Sequence, residues 1–295
     1  MKTKIPEALT SNVPQTKWGK ILLATPVVMT VIATLLAGLA SSEMTSAQYD
    51  RALGAQLQSK AGDQWGYFQA KKLRGAMQQN SLELLEATAD VHPLDAATLP
   101  ATISPETLAA LQKGEVPFDF TAFQLPPRDQ AALDTIANSK SEVEIADALA
   151  KVTDRNLIDD LSEAKMQTFA LDKATKPINQ ALDQLEKSLP PGDKAAARDL
   201  TAARMRYSVA RYDTEAKLNQ SIANLYELQV RKINVSAERH HKRSGKFFFG
   251  MLAAQAAVIV STFAIAAQKR NFLWLLAAAA GLAAVTFAVY VYLRV

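Results

Sequence analysis

The chain has 295 residues, no cysteine and a formal net charge of +4, and its apolar residues are concentrated at the two ends. The basic excess lies beside those ends, which favours contact with lipid head groups over nucleic acid, although flanking charges that only set membrane topology fit equally well. The lack of cysteine excludes disulfides, thiolate zinc sites, a cysteine nucleophile and a lipoprotein anchor.

The first apolar run predicts a transmembrane helix over residues 21–40, after a basic tail over residues 1–20. About 20 uncharged residues are enough to cross the hydrocarbon core of a bilayer. A cleavable signal peptide is the competing interpretation, because Gly38-Leu39-Ala40 resembles a small-residue cleavage site. We favour a retained anchor, since the run is longer than a usual signal core.

Residues 41–91 predict one long helix, stalk helix A, because the segment is free of proline and its apolar residues recur at helical spacing. The predicted packing stripe consists of Leu53, Leu57, Ala61, Trp65, Phe68 and Met77.

Residues 92–192 are broken by prolines and predict a small helical head. Ser104-Pro105-Glu106-Thr107 is a good helix start, with proline at the first helical position. Two short helices are predicted over 128–139 and 141–152, and a longer one over 154–189. Pro190-Pro191-Gly192 ends that helix, and Asp193 is suited to cap the next.

Residues 193–246 predict stalk helix B, the antiparallel partner of stalk helix A. Its predicted seam consists of Leu200, Ala203, Tyr207, Ala210, Thr214, Leu218, Ile222 and Leu225. Two further apolar runs predict spans over 247–267 and 272–293, joined by a short polar loop. The predicted fold class is an all-α membrane protein, with three transmembrane helices and a long antiparallel helical stalk capped by a small helical head.

The distribution of lysine and arginine bears on topology. Lysines precede the first span, and Lys269 and Arg270 precede the third, which favours a cytoplasmic N-terminus and a periplasmic central domain in a bacterial inner membrane. The four basic residues between Arg239 and Lys246 argue for the opposite orientation, but charges at the end of a long loop count less in this rule.

The most distinctive motif is Asp63-Gln64-Trp65-Gly66-Tyr67-Phe68-Gln69-Ala70-Lys71-Lys72-Leu73-Arg74. It resembles the signature of domain of unknown function 4337, an uncharacterised bacterial membrane-protein family. The resemblance extends over residues 20–92 and 193–293 and implies one N-terminal span, a helical middle and a C-terminal hairpin of two spans. It implies no activity.

The motif supplies the first candidate site, a surface on which another subunit or protein docks, because Trp, Tyr and Arg are favoured anchors at interfaces. The candidate residues are Asp63, Trp65, Tyr67, Phe68, Lys71 and Arg74. The alternative is that these residues form the seam within the stalk, with their charged groups in solvent.

The second candidate site is a basic collar before the second span, formed by Arg239, Lys242, Arg243 and Lys246. Anionic lipid head groups attract such residues, and simple interfacial anchoring is the alternative. His240 and His241 do not predict a metal site, because adjacent residues on a helix point about 100° apart.

No pattern in the sequence predicts a catalytic residue, cofactor or metal site, nucleic-acid partner or identifiable small-molecule substrate. We therefore expect a non-enzymatic, membrane-anchored helical scaffold, adaptor or assembly protein that contacts the lipid bilayer and associates with itself or with another membrane protein. The alternative is a small oligomeric channel or a regulatory subunit of a membrane transport complex.

Overall fold

The computed structural model describes residues 17–94, 103–118, 124–138, 141–266 and 270–294. Over these residues the chain is all-α, without a strand, as the sequence predicts. The helices are α1 (Lys17–Thr88), α2 (Pro105–Lys113), α3 (Pro127–Ala137), α4 (Glu142–Ala150), α5 (Asp154–Ser188), α6 (Lys194–Ala266) and α7 (Arg270–Arg294). Most of the predicted basic tail, and residues 268 and 269 of the predicted loop between the last two spans, lie outside the described residues.

Local sequence signals set the ends of the short helices. The Ser104 side chain accepts a hydrogen bond from the Thr107 amide at the start of α2, and Gly114 ends that helix in the left-handed conformation at φ 66°. A side chain at position 114 would also meet the Cβ of Arg206 at 2.9 Å, so glycine is required there twice over. Ser141 and Glu144 form a capping box at α4.

Among the described residues, three helices are long and apolar enough to cross a membrane, and they lie within Leu23–Thr88, Lys194–Ile265 and Phe272–Val291. In two of these helices the apolar run is only one end of a much longer element, since α1 has 72 residues and α6 has 73. The chain is therefore a membrane protein whose first two spans continue directly into polar helices.

The described chain divides into two compact units. The membrane unit holds residues up to 53 and from 233 onward, and the bundle unit holds residues 54–232. In the membrane unit, Ala33 and Ala40 of α1 are buried in one cluster with Ala254 of α6 and Ala284 of α7. Gly250 allows this approach, because a Cβ there would lie 3.3 Å from Leu36 and from Phe287.

In the bundle unit, α6 is the central helix. It is buried on more than one side, which a single packing stripe does not produce; the residues concerned are Ile222, Ala223, Leu225, Tyr226, Leu228 and Val230. Both α1 and α5 run antiparallel to it. For α5 this direction follows from Arg204 bonding Glu186 at 2.6 Å and Lys232 pairing with Asp154 at 2.8 Å.

The structure thus adds a third helix to the predicted pair. The beginning of the predicted α6 seam (Leu200, Ala203 and Tyr207) is buried, but its neighbours are α2 and α5, through residues such as Leu111, Ile178 and Leu185, rather than α1 alone. Pro177 lies inside α5 and does not divide it.

The inner face of α1 also differs in part from the predicted stripe. Ala61 is fully buried, as predicted, but Met77 is 60 % exposed on the outer side of the helix. A strict seven-residue spacing sets the inner face, and three of its five positions hold small residues; the positions are Gly54, Ala61, Phe68, Gly75 and Leu82. The prediction for Met77 was wrong because large apolar residues were given more weight than alanine and glycine.

Candidate docking and membrane-contact sites

The motif residues of α1 divide between an inner and an outer face of the helix. Trp65, Phe68 and Lys71 are partly buried on the side that faces α6, whereas Asp63, Tyr67 and Arg74 are exposed. The seam interpretation therefore applies to the first three residues, because they have partners inside the bundle unit. The docking interpretation applies to the other three.

Trp65 is held by a polar and an aromatic contact. Its indole Nε1 donates a hydrogen bond to Glu227 Oε1 at 2.8 Å, and its ring meets Phe68 edge-on with 5.4 Å between centroids. A partly buried indole usually finds a polar partner in this way. Glu227, which looks isolated in the sequence, is that partner.

The two lysines of the motif form ion pairs with α6. Lys71 pairs with Glu215, and Lys72 donates to Asp213 Oδ1 at 2.6 Å. Partial burial alone would raise the pKa of Asp213, but hydrogen bonds from Lys217 and Lys72 outweigh burial and lower the pKa below its ordinary value. Lys71 is thus engaged within the chain, whereas the seam interpretation placed the charged groups of the motif in solvent.

Docking stays a prediction for the outer residues. Tyr67 leaves 56 % of its surface exposed, and Leu73 and Met77 extend an apolar outer face beyond it, at 63 % and 60 %. Asp63 and Arg74 flank this face and are exposed as well. The outer half of the motif is therefore where a partner has access.

The four residues of the basic collar are not equivalent. Arg239 and Lys242 are exposed, and Lys242 lies 3.4 Å from Glu238 one turn earlier. Arg243 is partly buried and lies 3.7 Å from Glu43, while the Lys246 ammonium sits 4.6 Å from the centroid of the Tyr290 ring. Arg239 and Lys242 are thus the more accessible to lipid phosphates.

Glu43 is a site residue that sequence reasoning missed. It pairs with His240 Nδ1 at 2.5 Å as well as with Arg243, and one turn away Ser244 donates to the Ala40 carbonyl at 2.8 Å. The sequence held one signal for this role, because Glu43 is the first carboxylate after the first apolar run. His240 therefore serves as a partner of Glu43, and among the described residues no three potential ligand side chains converge on a metal position.

A second missed residue, Asp129, lies in the first turn of α3. It has no exposed surface, and Arg128 Nε lies 3.5 Å from its Oδ1. Arg128 also pairs with Asp160 of α5. Burial, together with hydrogen bonding to Asp160 and that residue's charge, raises the pKa of Asp129 to about 6, although Arg128 works in the opposite direction. This group therefore titrates close to neutral pH.

Comparison with known proteins gives one finding. The model of a family described as Domain of unknown function (DUF4337) matches residues 22–113. This part of the chain, which includes the first candidate span and the motif, is similar to that family, so the resemblance is confirmed there. The resemblance over residues 193–293 lies outside the match and stays a prediction. No curated protein and no solved structure matches the chain.

Proposed function

We propose that the chain is a non-enzymatic, membrane-anchored helical scaffold, adaptor or assembly protein that works as an oligomer. The observation that carries this proposal is the continuity of α1 and α6, each of which runs without a loop from an apolar span into a charged helical bundle. Such helices tie a protein-binding surface to a bilayer by backbone hydrogen bonds rather than by a flexible linker.

The docking surface of the scaffold is the exposed half of the motif, formed by Asp63, Tyr67 and Arg74. Tyrosine and arginine contribute disproportionately to binding when a partner covers them. Leu73 and Met77 supply apolar area next to them, at 63 % and 60 % exposure.

Site-specific photo-crosslinking in the native membrane tests this surface. A photoreactive phenylalanine analogue in place of Tyr67 should give a defined crosslinked band, because the partner covers that position. The same analogue in place of Phe169, which is 72 % exposed on α5, is the matched control. Equal labelling from both positions would count against a docking site at the motif.

For the oligomer, Gln255 provides the support. It lies in the second span and is exposed, so its amide faces either lipid or a neighbouring protein. An amide in hydrocarbon is costly unless it is hydrogen-bonded, and hydrogen bonds between spans contribute about 0.6 kcal/mol on average. Native mass spectrometry in detergent should show an oligomer that Gln255→Leu weakens, and a wild-type chain seen only as monomer would contradict this part.

The proposed location is a bacterial inner membrane, with a cytoplasmic N-terminus and a periplasmic bundle unit. The lysines before the first span and the basic residues before the third support it. Val143 is 71 % exposed in a cysteine-free chain, so Val143→Cys gives a single accessible thiol. A membrane-impermeant maleimide should label it in spheroplasts without permeabilisation. Labelling only after lysis would contradict this topology and indicate a cytoplasmic bundle unit.

A second candidate function is a small oligomeric channel or a regulatory subunit of a transport complex. The same Gln255 favours it, because an amide on the outer face of a span would line an aqueous path if several copies enclosed one. Ion flux through liposomes containing the purified chain distinguishes the two candidates. The scaffold predicts no flux above that of empty liposomes.

A further inference from the structure

The outer face of α1 in the bundle unit carries a second regular stripe, opposite the seam that packs on α6. Its members follow spacings of four, three, four, three and four; they are Gly66, Ala70, Leu73, Met77, Asn80 and Leu84. Within the part of the chain that the structure describes, Leu73, Met77 and Leu84 leave 60–65 % of their surface exposed. Alternating steps of four and three residues repeat every seven positions, which is the pattern of a two-helix coiled coil.

We propose that this stripe pairs in parallel with the same stripe of a second copy of the chain. The inference rests on the proposed scaffold and names its first partner. Because α1 begins in the membrane, two copies inserted in the same orientation present this helix in the same direction. A parallel, in-register pair then brings each stripe residue opposite its own equivalent.

The charges beside the stripe are compatible with this pairing. In register, Gln69 lies opposite Arg74 of the second copy and Glu83 lies opposite Thr88, so neither contact joins like charges. Asn80 meets its equivalent inside the stripe, and a single buried amide pair fixes register at some cost in stability. Asp63 would meet a second carboxylate, and therefore the stripe ends at Gly66.

The area is sufficient for association of chains that share a bilayer. Tyr67, Leu73, Met77 and Leu84 are 56–65 % exposed. At about 100 Å² for each, two copies cover roughly 800 Å² of apolar surface, and the flanking residues raise the total to about 1,200 Å², the low end of specific interfaces. Anchoring in one membrane raises the effective concentration of each copy for the other.

Disulfide crosslinking of the full chain in liposomes tests the pairing directly, because the natural sequence has no cysteine. Under mild oxidation, Leu73→Cys and Met77→Cys should each give a band at twice the 32.0 kDa of one chain. Val143→Cys, on α4 and even more exposed at 71 %, should give at least tenfold less. Equal dimer from all three positions would indicate random collision and overturn the proposal.

A charge substitution separates pairing from folding. Leu73→Glu with Met77→Glu places four carboxylates across the stripe, so the crosslinking of Asn80→Cys should fall at least tenfold. Both positions are exposed, and the helical circular dichroism signal should stay unchanged. Unaltered crosslinking would overturn the pairing. A chain that fails to pair but still captures another protein from position 67 would overturn only this inference and leave the scaffold standing.

Discussion

The membrane unit and the bundle unit use the same kind of inner face on α1 but stabilise it by different means. In both, small residues recur every seven positions, with Ala33, Ala40 and Ala47 in the first unit and Gly54 and Ala61 in the second. A strict seven-residue repeat keeps one stripe of a helix facing its partner over many turns.

The difference lies in what surrounds the seam. In the bundle unit, hydrogen bonds and ion pairs such as Trp65–Glu227 and Lys72–Asp213 flank it, and large leucines fill the space between α2, α5 and α6. In the first span of the membrane unit, the flanking residues are exposed and apolar, as Val27 and Leu35 are at 67 % and 63 %, and the polar contacts of Glu43 come only after this apolar run. Lipid offers no hydrophobic gain for packing, so close contact of small residues must hold the spans together.

The largest expected effect comes from deleting volume in the bundle core. Leu185→Ala should lower the free energy of unfolding by about 3 kcal/mol, because Leu185 is 2 % exposed and its loss leaves a cavity. Urea unfolding followed by circular dichroism measures this. Met166→Ala, on the exposed side of α5 at 63 %, should change stability by less than about 0.5 kcal/mol. Equal effects would mean that the α5–α6 contact is not a core.

The membrane unit should respond to added volume instead. Ala254 is fully buried against α1 and α7, so Ala254→Leu forces the spans apart and should cost about 2 kcal/mol. Ala256, on the exposed face of the same helix, is the control. Denaturation in mixed detergent micelles compares the two, and a tolerated leucine at position 254 would contradict a seam held by small residues.

Asp129 makes the bundle unit sensitive to pH. Its pKa rises from 3.8 to about 6 on folding, so the carboxylate destabilises the folded state above pH 6 and this penalty disappears below pH 4. Asp129→Asn should therefore raise the free energy of unfolding by on the order of 2 kcal/mol at pH 8, with the gain fading toward pH 4. Asp147→Asn, at an exposed position, should give a pH profile parallel to wild type.

The smallest expected effects concern polar contacts of the motif. Trp65→Phe removes the hydrogen bond to Glu227 and should lower the free energy of unfolding by about 1 kcal/mol. Lys72→Ala removes an ion pair that is largely in solvent and should cost less than about 0.5 kcal/mol. Reversed magnitudes in urea unfolding would show that charge, rather than the indole, fixes α1 on α6.

Sequence reasoning predicted the elements of this fold better than their contacts. The three apolar runs give a local signal, and among the described residues three helices are long and apolar enough to span a membrane. The cap at Ser104, the stop after Leu189 and the Asp193 cap are local signals too, and these three appear at their predicted places. The inner face of α1 gave only a partial signal, because alanine and glycine contribute little to a hydropathy pattern. Met77 was misplaced for that reason.

The two missed site residues share a different cause. Glu43 and Asp129 gain their roles from groups far away in the sequence, His240 in the first case and Asp160 in the second. A single carboxylate in a helical segment looks solvated until the partner helix is known. The family match over residues 22–113 does not supply that information either, since both partners lie outside it.

The unbroken α1 also has a consequence for biosynthesis. Its contacts with α6 join residues far apart in the sequence, as Trp65–Glu227 does over 162 positions and Ala40–Ser244 over 204. At about 5–20 residues per second, α1 leaves the ribosome roughly 10–40 s before its partner. Contacts of such long sequence separation form late and slow folding. During that interval the nascent helix exposes both its inner and its outer stripe, so a chaperone or an already inserted chain encounters α1 before α6 does.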